Sequence, residues 1–240
     1  MQHPPITLRY FHARGRAQFM RYYFRARKMS FNDERVALAA DFAPWHALRD
    51  DRSRTGPFHK LPTLSWGDRF VCETLMIAAF VHEASGDAGA LSDDDNLRHG
   101  MLTSSLCLDV MSPVSMLLWS ELQFPGADLG AVAKGTVERL ERHARSLDQS
   151  LGEWRWLDKA RNRRVMLADC LLWEELNVAQ HVFGPRWSLS QTPMLARFYA
   201  EFPARASCEA LLTEQPCPIT ARPEEAATIA KIRELVAQRE

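Results

Sequence analysis

Pro62 sits inside a short apolar run, Phe58-His59-Lys60-Leu61-Pro62-Thr63-Leu64, and few features limit a fold more. Proline has no N–H to give a sheet ladder, so here it marks a sheet edge, a bulge or a cis bond. A cis bond would turn the backbone of Leu61 outward, leaving its N–H and C=O free to pair with an extended peptide ligand. A simple edge-strand proline is the plainer reading. Further along, Glu73-Thr74-Leu75-Met76-Ile77-Ala78 has the pattern of a helix start. Unpaired N–H groups and the positive end of the dipole at such a start suit a carboxylate, although the same residues also serve ordinary capping. Together the two segments predict a ledge for an extended peptide beside an anion socket.

The surrounding order of elements fixes a frame for that ledge. Ile6 to Phe11 alternates as a strand does, with Ile6, Leu8 and Tyr10 on one face. Gly15 interrupts it, and Arg16 to Lys28 then shows helical spacing through Phe19, Met20, Tyr23 and Phe24. A second strand is expected around Glu34-Arg35-Val36, a short helical or irregular piece over 41–52, and a loop over Ser53-Arg54-Thr55-Gly56-Pro57. Leu61–Ser65 and Arg69–Cys72 read as strands joined at Trp66-Gly67-Asp68, and Glu73–Glu83 as a helix. This order implies a mixed sheet with helices on it over residues 1–86. Asp87 to Leu91 is small and polar and reads as a linker.

From 92 to 240 everything reads helical. Leu97–Leu122 is a long apolar helix bent at Ser112-Pro113. Val137, Leu140, Ala144, Leu147 and Leu151 make one amphipathic face over 131–151. Asp169–Phe183 is apolar enough to be a buried central helix, and Thr192-Pro193 opens another. A last helix is expected over Glu224–Gln238.

Bulk properties exclude several classes of function. A formal net charge of +0 gives no global field for nucleic acid or anionic membrane. The 5 cysteines are odd in number and lack CxxC spacing, which argues for a reducing compartment. No signal-like start and no apolar run near membrane length are recognisable, so a cytoplasmic protein without membrane attachment is expected. The chain lacks GxSxG, Walker, GxGxxG and HExxH patterns, and its 8 histidines show no metal-like pairing, so no metal cofactor is expected.

An α/β half with a proline before its third strand and a helical half behind it resembles the cytosolic glutathione transferases. Tyr10-Phe11 followed by Gly15-Arg16-Ala17 is similar to the tyrosine-type classes, sigma in particular. Trp45 with Arg49, Lys60-Leu61-Pro62, Glu73-Thr74 and Ala168-Asp169 also match segments of that family. The resemblance spans about residues 5–205. It implies a thioredoxin-like N-terminal domain (βαβαββα, four-stranded mixed sheet) over 1–86 and an all-α domain over 92–240. It further implies glutathione as co-substrate, a hydrophobic electrophile as second substrate, detoxifying transferase activity and a homodimer.

The same resemblance distributes roles. Tyr10 would donate its O–H to the glutathione sulfur, with Arg16 orienting it or strengthening the field. Leu61 would pair with the cysteinyl backbone and Pro62 hold the bend. Glu73 and Thr74 would take the γ-glutamyl end, and Trp45, Arg49 and Lys60 the glycyl carboxylate. Phe58 would insert into the partner subunit. Read without the motif, Tyr10 is a packed strand-end residue, Phe58 a local core residue, and Arg16, Trp45, Arg49 and Lys60 ordinary surface residues. Cys72 reads as a strand cysteine or a reactive thiol. Phe11, the apolar face of Leu102–Leu117 and the C-terminal helix would line the electrophile site.

Three departures stand out: Met166 occupies a capping position usually held by Ser or Thr, the 50–57 loop is long and charged, and the acid reaching across the dimer has no clear counterpart beyond Asp109. They leave open a non-catalytic binding or scaffold member of the same fold. A glutathione-dependent isomerase is the other alternative.

Overall fold

A computed structural model describes residues 3–38, 41–156, 159, 163–214, 217–220, 222 and 224–237. Four strands, β1 (Ile6–Phe11), β2 (Asn32–Val36), β3 (Thr63–Trp66) and β4 (Arg69–Cys72), form one sheet in the order β2-β1-β3-β4. β1 runs parallel to β2 and antiparallel to β3, which pairs antiparallel with β4. The expected hairpin turns at Gly67, whose φ of 61° is the left-handed conformation glycine adopts cheaply.

Helix α1 (Gln18–Ala26) follows a 3₁₀ turn at Gly15–Ala17 and packs against the central helix of the second half. Phe19, Met20, Tyr22, Tyr23 and Phe24 are all fully buried, so this helix is covered by the sheet on one side and by the bundle on the other. Even Arg21 is inside, where its guanidinium donates to the Ala13 carbonyl at 2.8 Å and pairs with Asp33 at 3.1 Å. Two short helices, α2 (Ala43–Leu48) and α3 (Arg52–Thr55), connect β2 to β3. The second of these replaces the loop expected from composition. The Asp51 carboxylate accepts from the Ser53 N–H and hydroxyl, and this cap closes a helical turn that Ser and Gly alone do not announce.

Helix α4 (Thr74–Ala84) begins one residue later than expected, because Glu73 stands outside it at φ 68°. The presumed linker is anchored. Asp87 is fully buried, accepts from the Tyr23 hydroxyl at 2.8 Å and pairs with Arg27 at 2.6 Å and Arg164 at 2.9 Å. A polar composition shift therefore marks a junction between halves and not a free tether.

Helices α5 (Asp93–Ser105) and α6 (Ser112–Gln123) are continuous through a π-helical turn at Leu106–Met111. Pro113 supplies no N–H to the ladder, and the wider turn just before it absorbs the mismatch; the Ser112 hydroxyl satisfies the Cys107 carbonyl at 2.8 Å. Together they make a helix long and apolar enough by composition to cross a bilayer, with an 18-residue window of mean hydropathy 1.5. This helix departs from the expectation of no apolar run near membrane length. Half of that window is buried within the protein, as a bundle helix requires.

Helices α7 (Leu129–Glu153), α8 (Leu167–Phe183), α9 (Pro193–Ala206), α10 (Cys208–Glu214) and α11 (Glu225–Ala237) complete the second half. Helix α8 is the buried centre, as its composition predicts. Met166 gives no side-chain cap, yet the other half of the box survives: the fully buried Asp169 carboxylate accepts from the Met166 N–H at 3.0 Å. Asp169 also holds the Trp156 indole N–H at 2.9 Å and Arg163 at 2.6 Å. At α9, Pro193 takes the first helical position as expected, but the Thr192 hydroxyl turns back to the Leu189 carbonyl. The α9 N-terminus is capped instead from a distance, by Asp148 of α7 accepting from the Leu195 N–H at 2.8 Å. All 5 cysteines are free.

Candidate functional site

Strand register brings the singled-out segments to one end of the sheet. Arg9 lies opposite Thr63, and Thr63 opposite Cys72. Tyr10 and Phe11, at the end of β1, therefore run beside Pro62 and Leu61, while Glu73 and Thr74 follow Cys72 on the far side. The Leu61–Pro62 bond is cis. The backbone N–H and C=O of Leu61 have no hydrogen-bond partner among the described residues. Thr74 is the buried first residue of α4, and Glu73 is half-buried before it, with no side chain capping the helix.

Tyr10 is 8% exposed and borders a cavity of about 330 Å³. Its hydroxyl accepts a hydrogen bond from the backbone N–H of Arg16 at 3.1 Å. That bond occupies an oxygen lone pair and leaves the phenolic proton free to be donated. Burial pushes the phenol above its ordinary range, against the opposing Arg16 N–H and the Arg16 and Arg21 charges, so Tyr10 stays a neutral donor at physiological pH. Gly15 makes the arrangement possible. It has φ +34°, and a Cβ there would come within 2.4 Å of the Tyr10 hydroxyl oxygen. The Arg16 side chain is exposed at the cavity wall, so the group that orients Tyr10 is the main chain and not the guanidinium.

Phe11, Ala13 and Leu61 also line the cavity, and the remaining wall residues come from four places. Leu38, Phe42 and the half-buried Trp45 come from the segment after β2; Trp45 meets Phe11 edge-on at 5.3 Å. Met111, Val114, Ser115 and Trp119 come from the π turn and α6, so the wall reaches past the expected Leu117. Glu175 and Val178 come from α8. The fourth contribution departs from expectation: Ile219 and Thr220, and not the C-terminal helix after them, line the cavity. That strap is bonded to the loop carrying Tyr10's partner, with Arg14 N–H donating to the Pro218 carbonyl at 2.7 Å and Gly15 N–H to that of Ile219 at 2.8 Å. Glu225 caps the Ile219 N–H at 2.9 Å, and Arg222 stacks over Trp119 at 5.7 Å. No motif in the sequence advertises these bonds, and Phe42 and Glu175 carry no signal that separates them from core.

Of the remaining singled-out residues, Lys60 and Arg49 are exposed near the Leu61 end; Arg49 is paired only loosely with Asp50 at 3.7 Å, and its carbonyl takes the Thr55 hydroxyl. Neither borders the cavity. Phe58 is 57% exposed, which removes its reading as a local core residue. The Cys72 thiol is pushed up by burial and by neighbouring Glu73, which disfavours the reactive thiolate. Asp109 is paired with Arg139 at 3.0 Å on the surface. No group of acidic, cysteine and histidine side chains that could hold a metal occurs among the described residues.

No protein-family model matches the sequence, and no curated protein does. Solved structures do match over nearly the whole chain. Rat hPGDS complexed with a quinoline aligns with TM-score 0.69 and 21% identity, covering 90% of this chain and 100% of that one. The monomeric glutathione S-transferase Na-GST-3 of the hookworm Necator americanus aligns with TM-score 0.70 and 18% identity, covering 88% and 97%. A Pi-class glutathione S-transferase of Onchocerca volvulus gives TM-score 0.66 and 17% identity over 92% and 98%. The chain thus has the glutathione S-transferase fold, a thioredoxin-like sheet domain followed by an all-helical domain.

Proposed function

We propose that the protein is a tyrosine-type glutathione transferase, most like the sigma class, which activates the glutathione thiol and adds it to hydrophobic electrophiles or uses it to reduce hydroperoxides. The observation that carries this reading is Tyr10, whose hydroxyl accepts from the Arg16 N–H and keeps its own proton to donate at the cavity wall. A free thiol near pKa 8.5 is only about 3% ionised at pH 7. Lowering it by two units takes about 2.7 kcal/mol of selective stabilisation of the anion, a quantity within reach of a charge-assisted hydrogen bond from a buried phenol.

The free backbone of Leu61 beside Pro62 suits the cysteinyl amide, and the open α4 N-terminus at Glu73-Thr74 suits the γ-glutamyl end. Trp45 at the cavity wall and the exposed Arg49 and Lys60 suit the glycyl carboxylate. The aromatic and aliphatic walls suit an apolar second substrate. Exposed Phe58, Leu97, Met101, Leu108 and Met116 support a homodimer with Phe58 as an anchor. A cytoplasmic detoxifying role is part of the same proposal.

Calorimetric titration with glutathione, followed by turnover of a generic aryl halide, tests the proposal. Binding with turnover supports the transferase. Binding without turnover leaves the scaffold, unconsumed thiol with altered product points to an isomerase, and no binding removes the glutathione reading altogether.

A further inference from the structure

Helix α8 carries two consecutive buried acids with opposite surroundings. Glu174 is answered fully: Arg14 donates to both its oxygens at 3.0 and 2.9 Å, and the Tyr22 hydroxyl adds a third bond at 3.0 Å. Glu175 is 3% exposed, lines the cavity alongside Val178, and has no hydrogen bond or ion pair among the described residues. An unanswered carboxylate is expensive to bury, so such a group survives as the neutral acid.

The groups that face it agree with that state. Burial, then the charge of Glu174, raises the Glu175 carboxyl well above the ordinary range, while Arg14 and Arg16 from the loop after β1 oppose this. Arg14 is already committed to Glu174, and the Arg16 side chain is exposed. From the π turn, Cys107 has its thiol pushed up to about 12, chiefly by burial. Across a narrow void toward α7 stands His143, held low by burial and hydrogen-bonded to the Ser105 hydroxyl at 3.0 Å. Tyr10 borders the same cavity as a neutral phenol.

A neutral carboxyl has one O–H to give, in a chamber whose wall is mostly aromatic and aliphatic and whose other polar side chains are Tyr10, Arg16, Ser115 and Thr220. We propose that Glu175 is a proton donor to the second substrate, acting where addition of the thiolate leaves an enolate, as it does with an α,β-unsaturated ketone. The inference rests on the glutathione reading above. The thiolate sulfur forms a bond to the β-carbon, the C=C pair shifts to make an enolate, and the enolate oxygen takes the Glu175 proton. The enol then tautomerises to the ketone or aldehyde adduct, and Glu175 recovers a proton from solvent, equal to the one glutathione released on ionising. Addition to an aryl halide expels halide and needs no such proton.

The test compares wild type with Glu175→Gln, which keeps the volume, and Glu175→Leu, which removes polarity. Calorimetry of glutathione binding to wild type comes first, then kcat/KM for an unsaturated ketone and for a generic aryl halide across pH. Both variants are expected to lower the ketone-to-halide rate ratio about 100-fold, the scale of a lost general acid. In wild type that ratio should fall as pH rises, a limb absent from Glu175→Gln, and the difference infrared spectrum should show a protonated carboxyl. An unchanged ratio, a pH-independent ratio in wild type, or no protonated-carboxyl band overturns the assignment while leaving the transferase intact. Absence of glutathione binding to wild type overturns both.

Discussion

Gly15→Ala isolates the placement of the Tyr10 hydroxyl without altering Tyr10 itself. The added Cβ would stand 2.4 Å from that oxygen, 3.0 Å from the ring Cε1 and 3.1 Å from Cζ. Ordinary carbon contacts lie at roughly 3.5–4.0 Å, so something must move by about 1 Å. The loop cannot easily yield, since Gly15 N–H is tied to Ile219 and its neighbour Arg14 to Pro218 and Glu174. The phenol is the freer partner, and swinging it away breaks the Arg16 N–H bond, worth about 0.5–1.5 kcal/mol. Alanine at φ +34° adds about 1–2 kcal/mol of backbone cost. Displacement by about 1 Å at a reacting centre can cost on the order of 100-fold in turnover. The expected result is a loss of about 2–3 kcal/mol in urea unfolding with a roughly 100-fold drop in glutathione conjugation and nearly normal glutathione affinity. Wild-type turnover in a folded Gly15→Ala protein would refute the placement of Tyr10 as the sulfur's partner.

Asp169→Ala should destabilise by about 3–5 kcal/mol in chemical denaturation, because it strands Arg163, the Trp156 N–H and the Met166 N–H together. A loss below 1 kcal/mol would mean that the half-box does little for α8. Glu34 is held at about 2, first by its hydrogen bond from Arg9 and then by Arg54, against an ordinary 4.5. Its contribution is complete above pH 4.5 and lost as pH falls toward 2, so wild type should lose more stability over that window than Glu34→Gln; parallel curves would refute the coupling. Arg54 is the exposed partner, so its share of the effect should shrink with added salt while that of the buried Arg9 should persist. Phe58→Ser should shift sedimentation from dimer to monomer, and a monomeric wild type would remove Phe58 as an anchor.

Much of the first half is legible because local chemistry dictates it. Pro62, Gly67 and the alternation of β1 fix strands and turns within a few residues of sequence, and register alone then brings Tyr10, Leu61 and Thr74 to one edge. The apolar periods of α7 and α8 are equally plain. What escapes is long-range. The Asp148 cap on α9, the buried Asp87 junction and the strap of Pro218 and Ile219 over the Tyr10 loop join residues far apart in the chain. A polar side chain looks the same in sequence whether it is solvated or holds two elements together. Glu174 and Glu175 are the sharpest case: identical neighbours in sequence, one answered by an arginine 160 positions away and the other by no partner among the described residues.

The most direct test of the central claim is the ionisation of glutathione bound to wild type and to Tyr10→Phe, followed by thiolate absorbance against pH. The claim predicts a bound-thiol pKa about 1–2 units below that of free glutathione in wild type and close to the free value in the variant, matching the loss of one hydrogen bond to a charged group. Equal values in the two proteins would show that the Tyr10 proton is not what holds the sulfur as an anion.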